Sequence, residues 1–277
     1  MGGGAWTTSN YVSYTNSAGL SFDSLTGTRT INSVQENFKA RHVHKDLKPY
    51  KVMRECCDSE EHPYTVPVIL ALDVTGSMSD AAVKTASALN NIITSIYEKV
   101  DDVEFAIMGI GDLAYDNSPI QISQFESDIR IAEHLDKLYF EFGGGGNSYE
   151  SYTAAWYMGA NHTKLDCWAR GKRGIIITLG DENLNPYLPH RPLTEVTGDP
   201  LQGDVETKDL YEEVKDKYDV YHIFVDHGYS RYKESAERTF TEVIPKENYY
   251  CCKVDEIADV ITEIVTGRGE AGKGISW

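Results

Sequence analysis

Val66-Pro-Val-Ile-Leu-Ala-Leu72 runs seven residues without a polar side chain and then stops at Asp73. A strand that is apolar on both faces has to be covered on both faces, which is the position of a parallel strand inside an α/β sheet. The run gives way to Asp73-Val-Thr75-Gly-Ser77, one carboxylate and two hydroxyls at every second position. A hard divalent cation takes oxygen ligands, and magnesium wants six near octahedral geometry while keeping several waters. Short Asp, Thr and Ser side chains on a tight turn supply part of that shell. The remainder has to come from other loops, from water or from a partner's carboxylate.

Downstream, apolar strands alternate with amphipathic helices. Ala82, Ala86, Leu89, Ile93, Ile96 and Val100 recur at steps of four and three, which predicts a helix from about Ser79 to Lys99 with that face in the core. Strands are expected at 103–110, 175–179, 220–225 and 248–254, a short segment near 121–125, and helices near 127–138, 149–160, 206–218, 234–243 and 255–266. The expected fold class is α/β: a Rossmann-like, doubly wound, mostly parallel central sheet flanked by helices, with an N-terminal arm. The domain reading is an extended, partly disordered basic arm over 1–62, the α/β domain over 63–267 and a flexible Gly-rich tail over 268–277. The Pro-rich stretch 183–204 reads as a long loop of functional character.

The chain carries 26 Lys and Arg against 43 Asp and Glu, a formal charge of −17. Nucleic acid and anionic membrane are therefore excluded as expected partners, because phosphate contacts need clustered cations. Residues 1–54 run against this trend, with seven Lys or Arg against three acids, so a basic arm on an acidic body is expected. Five cysteines, four of them in the adjacent pairs Cys56-Cys57 and Cys251-Cys252, do not form a disulfide framework. With no apolar stretch of membrane-spanning length and no secretory profile at the start, a cytoplasmic setting is the expectation. Met1-Gly-Gly-Gly-Ala-Trp6 has Trp where myristoylation wants Ser or Thr, so lipidation is rejected.

In open α/β sheets, ligands bind beyond the carboxyl ends of strands where strand order reverses. Asp73, Thr75 and Ser77 follow one strand, Asp181 and Glu182 follow another, and the glycines 143–146 lie between them in sequence. These loops are expected to share one mouth, with the glycines bringing Asn147, Ser148 or Glu150 near the metal; Asp112 and Asp116 are candidates for its edge, with solvated loop acids the simpler reading. Strand-DxTxS-helix, a Gly-rich loop and a later strand ending in Gly-Asp resemble the von Willebrand factor A (VWA) domain and its metal-ion-dependent adhesion site (MIDAS). Thr75 stands where that family has Ser and keeps the hydroxyl. Gly144-Gly-Gly-Asn147 with Glu150 is similar to a GGGD…E version of the loop, and Gly180-Asp181-Glu182 keeps the carboxylate of the family's Thr-Asp-Gly. MGGGAW, the segment before the first strand and Gln124-Phe-Glu-Ser-Asp128 are also similar to a family of stand-alone bacterial and phage A-domain proteins of no settled activity.

The resemblance implies Asp73, Thr75, Ser77, Asn147 and Asp181 as metal residues, with Ser148 as the other choice for the loop ligand. Glu150, Asp112 and Glu182 are additional candidates for metal or partner binding. It implies Mg²⁺, or Mn²⁺ or Ca²⁺, and a non-catalytic module that captures a protein partner through an acidic residue. An assembly ATPase is one such partner.

Competing readings are specific. Asp, Thr and Ser also serve as helix caps, though one cap needs one residue. Asp73-Val-Thr-Gly-Ser is close to the motifs of magnesium-dependent phosphoryl-transfer hydrolases, in which the Asp attacks phosphorus, yet Val74 and Thr75 stand where their partner residues would be. His42, His44, Cys56, Cys57 and His62 have zinc-ligand chemistry without zinc spacing. Asp226 and His227 end another strand, where a satisfied polar role is expected of the histidine. The phosphate-loop look of 267–273 lacks the required Ser or Thr.

Overall fold

A computed structural model describes residues 4–141, 147–228 and 231–272, the last five through their backbone alone. Its central sheet holds β1 (Val66–Asp73), β2 (Val103–Ile110), β3 (Ile120–Ile122), β4 (Gly174–Gly180), β5 (Tyr218–Val225) and β6 (Tyr249–Cys252). Their spatial order is β6-β5-β4-β1-β2-β3. Every neighbouring pair is parallel except β2 with β3. The winding reverses between β1 and β4, so the sheet is doubly wound, as the alternating pattern predicts. That reversal puts the loop after Asp73 beside the loop after Gly180.

The longer helices, of seven residues or more, are α1 (Thr8–Ser17), α2 (Ser79–Tyr97), α3 (Arg130–Asp136), α4 (Thr153–Asn161), α5 (His190–Thr197), α6 (Thr207–Val214), α7 (Lys233–Thr241) and α8 (Ile257–Gly272). Because β1 is apolar on both faces, Val68, Leu70 and Leu72 enter one core with Leu89 and Ile93 of α2 and Ile261 of α8. Ile69 and Ala71 enter the other with Trp156 of α4 and Leu210 of α6. Full burial of each Leu or Ile contributes about 2 kcal/mol.

Three expectations are corrected. The arm is not extended over its first part: α1 forms, capped by Thr7, whose side chain accepts from the Asn10 amide, and Ser21–Asp23 pairs antiparallel with Thr28–Thr30. Poor local helix propensity is overridden by docking, since Trp6 and Tyr11 are buried and bond to Asn90 Oδ1 (3.2 Å) and the Ala86 carbonyl (3.1 Å) on α2. Arg29, fully buried, donates to the Ala86 carbonyl (3.0 Å) and through both terminal nitrogens to Asp136. The basic arm thus lies on its own acidic body. Second, α8 continues through 268–272, where a tail was expected, carried by buried Ile261, Ile264 and Val265; 273–277 lie outside the described residues. Third, 183–204 is not an unstructured loop: it holds α5, which buries Leu193 and ends at Gly198 with φ 83°.

The five cysteines are unlinked. Two residues of the zinc alternative are engaged elsewhere: Cys56 is buried in the second core, and His62 meets Asp102 (3.2 Å) and the Gly4 carbonyl (3.1 Å). Among the described residues no group of three or more His, Cys, Asp or Glu is arranged to hold a metal by those side chains alone. Among the described residues, no helix is long and apolar enough to cross a membrane.

Candidate metal centre

At the carboxyl end of β1, Asp73 is completely buried. Its Oδ1 accepts from the Thr75 amide (2.9 Å) and from Thr75 Oγ1 (2.6 Å), and its Oδ2 accepts from the Tyr152 hydroxyl (3.1 Å). Ser77 Oγ donates across 104 residues of sequence to Asp181 Oδ1, at 3.1 Å. The two strand-end loops therefore meet, as expected from the winding. A helix-cap role does not account for the trio, since α2 has Met78 at its N-cap and no side-chain cap bond.

The hydroxyl protons decide what this arrangement can do. With Thr75 donating to Asp73 and Ser77 to Asp181, the lone pairs of both hydroxyls face away from the carboxylates and are left as donors to an electrophile. Their oxygens lie 3.4 Å apart. Cis ligands of an octahedral ion are about 3 Å apart around magnesium and about 3.4 Å apart around calcium, from the respective bond lengths. The pair therefore fits a hard divalent cation with at most a few tenths of an ångström of closure.

More carboxylates surround the pair. Glu150 is almost fully buried and its Oε2 has no hydrogen-bond partner. Burial first, then repulsion from Asp73, Glu182 and Asp112, pushes its carboxyl far above the usual range. Burial also raises Asp73 and Asp181, the former with Asp181 adding to the effect. Burial, then Asp181 and Asp112, pushes Glu182 up to about 7. Among the described residues no lysine or arginine pairs with these groups, and the basic side chain nearest Asp181 is that of His227, with Nε2 3.8 Å from Oδ2. An all-oxygen donor set, an orphaned buried carboxylate and no counter-cation fit a hard metal ion.

Not every expected residue joins this set. Asn147 Nδ2 donates to Asp112 Oδ2 (2.7 Å), and Asn147 Oδ1 accepts from the Tyr149 amide (3.0 Å), so Asn147 is tied to the Asp112 loop. Ser148 contributes its carbonyl to Asn183 Nδ2 (2.8 Å). The glycines 143–146 lie outside the described residues. The helix expected from Tyr149 starts only at Thr153, because Tyr149–Glu150 pair in parallel with Asn183–Leu184; this ladder carries Glu150 inward.

Sequence reasoning missed Tyr152. Fully buried, its hydroxyl donates to Asp73 and accepts from the Glu182 amide (3.3 Å), joining the two strand-end loops. A Cβ on Gly180 would stand 1.9 Å from that hydroxyl, so the glycine before Asp181 is required by the close approach. Gly180 was the available signal.

No protein-family model matches the chain, and no curated protein matches it. Among solved structures, the pilus adhesin SpaC from Lactobacillus rhamnosus GG, in an open conformation, matches at 16% identity and a TM-score of 0.48 over 77% of this chain and 30% of that one. The vWF domain of the type V pili tip protein Mfa5 from Porphyromonas gingivalis matches at 12% and 0.47, over 77% and 97%. Proximal thread matrix protein 1 from the mussel byssus matches at 13% and 0.47, over 76% and 48%. The chain thus spans under a third of SpaC and about half of the thread protein.

Proposed function

We propose that this chain is a divalent-cation-dependent protein-binding module of the von Willebrand factor A type, with a MIDAS-like centre built on Thr75 and Ser77. Those two hydroxyls would hold Mg²⁺, Mn²⁺ or Ca²⁺ directly. Asp73 and Asp181 orient them by accepting their protons and stand behind them as charge. Glu150 and Glu182 are the further carboxylates within the same cluster, and Asp112 with Asn147 forms its edge. The ion would supply an electrophilic corner for an acidic side chain of a protein partner, in an intracellular setting that suits five unlinked thiols. Affinity would also need the surrounding loops, because one coordination bond does not offset the entropy lost on association. An assembly ATPase fits as a partner class.

The observation that carries this proposal is the Ser77–Asp181 bond, which joins the two strand-end loops, with the orphaned, buried Glu150 carboxylate facing Asp73 in the same cluster. The phosphoryl-transfer alternative is disfavoured by the same geometry: Asp73 is enclosed and both of its oxygens are occupied, so neither is presented to a phosphorus atom. Calorimetric titration of magnesium and manganese into wild type and Ser77→Ala tests the centre. Uptake of one ion per chain, lost in the variant, is expected; equal uptake by both proteins refutes it. Capture of a partner in magnesium but not in chelator tests the binding role.

A further inference from the structure

A parallel sheet separates chemistry between its two ends. At the carboxyl pole, Ser77 is exposed beside Asp181, and the surrounding loops carry Asp116 and Glu182, with Asp226 paired to Lys233 (2.6 Å), together with the exposed rings of Tyr115 and Tyr149. At the amino pole, the residues just before β1, β2 and β4 line a cavity of about 900 Å³. Its walls carry Lys99, Arg170, Lys172 and Arg173, in a chain whose net charge is −17. Arg170 pairs with Asp58 and lies 5.8 Å from the Tyr64 ring centroid, and Arg173 pairs with Asp219. Asp102 is taken up by His62 and the Tyr64 amide. Glu61 and Asp101, in the same wall, are both exposed.

Resting on the metal-centre proposal above, we propose that the acidic partner is a second copy of this chain, docked head to tail. Glu61 or Asp101 at the amino pole of one copy completes the cation shell at the carboxyl pole of the next. The acidic rim then faces the four cations, and Tyr115 and Tyr149 enter the cavity, where guanidinium groups are good neighbours for aromatic faces. Three features of one pole thus find their complements on the other. A chain cannot satisfy itself in this way, because the eight residues of β1 hold its own two poles about 26 Å apart. Such a contact is heterologous, leaves one free pole on each end copy, and extends into oligomers as concentration rises.

Sedimentation of the full chain in magnesium and in chelator tests this, with Ser77→Ala as the broken head and the double variant Glu61→Gln/Asp101→Asn as the broken tail. Wild type is expected to exceed its monomer mass of 31.0 kDa in magnesium and return to it in chelator. Each variant alone is expected to stay monomeric. Their mixture is expected to give a species of twice the monomer mass and nothing longer, since one intact head meets one intact tail. Wild type monomeric in magnesium across the micromolar range, while calorimetry still records cation uptake, overturns the self-association and leaves the metal centre standing. Association of the tail variant equal to wild type also overturns it. Absence of cation uptake by wild type overturns both.

Discussion

Replacing Glu150 by Gln removes a charge while keeping the shape of the side chain, and so separates the electrostatic role of Glu150 from its packing. This carboxyl is nearly sealed from solvent, has an unpartnered Oε2, and faces Asp73, Glu182 and Asp112. Held protonated there, it is almost the same object as the amide, so Glu150→Gln in chelator is expected to melt at or slightly above wild type. Cation binding requires the ionised form and draws on its charge. Loss of a supporting group around a metal ligand typically lowers affinity by about 10–100-fold, which is about 1.4–2.7 kcal/mol. For a chain of this size each kcal/mol moves the midpoint by about 2–4 °C, so the magnesium-induced gain should shrink by about 3–10 °C. Calorimetric scans with magnesium and with chelator measure this, and titration in two buffers of different ionisation enthalpy should show fewer protons released by the variant. Equal magnesium-induced gains in the two proteins would refute the assignment of Glu150 to the cation cluster.

Two further outcomes follow from the same cluster and from the arm. Asp73, Asp181 and Glu182 are all raised, Glu182 to about 7, so without cation the folded chain holds more protons than the unfolded one between about pH 4 and 7, and stability falls as pH rises through that window. Urea titrations in chelator should record that fall and saturating magnesium should flatten it; a rise with pH in chelator would contradict it. Arg29→Met leaves Asp136 without its buried guanidinium and should cost about 3–5 kcal/mol in urea denaturation, a loss under about 1 kcal/mol being contrary.

Much of this was legible because local pattern and global role coincide at the strand ends. An apolar strand stopping at Asp73 announces both the parallel sheet and the crevice beyond it, and Gly180-Asp181 repeats the message one strand over. What stayed hidden was set by tertiary contacts. Thr8–Ser17 has the composition of a loop, and its helix depends on Tyr11 and Arg29 burying against α2. Tyr152 reads as core at a helix start, and its link to Asp73 emerges only when α4 packs under the strand ends. Asn147 has the right chemistry for the loop ligand, yet Asp112, from a loop distant in sequence, takes its amide. Glu150 was a candidate by spacing, whereas its enclosure depends on a two-residue parallel ladder with Asn183–Leu184 that no periodicity foretells.

Crystals grown with manganese and measured at a wavelength where the metal scatters anomalously test the central claim most directly. The account predicts one strong peak per chain bonded by Thr75 Oγ1 and Ser77 Oγ, with Asp73 and Asp181 behind the two hydroxyls. Manganese bound only elsewhere, or a saturated crystal with no peak between those two oxygens, would contradict it.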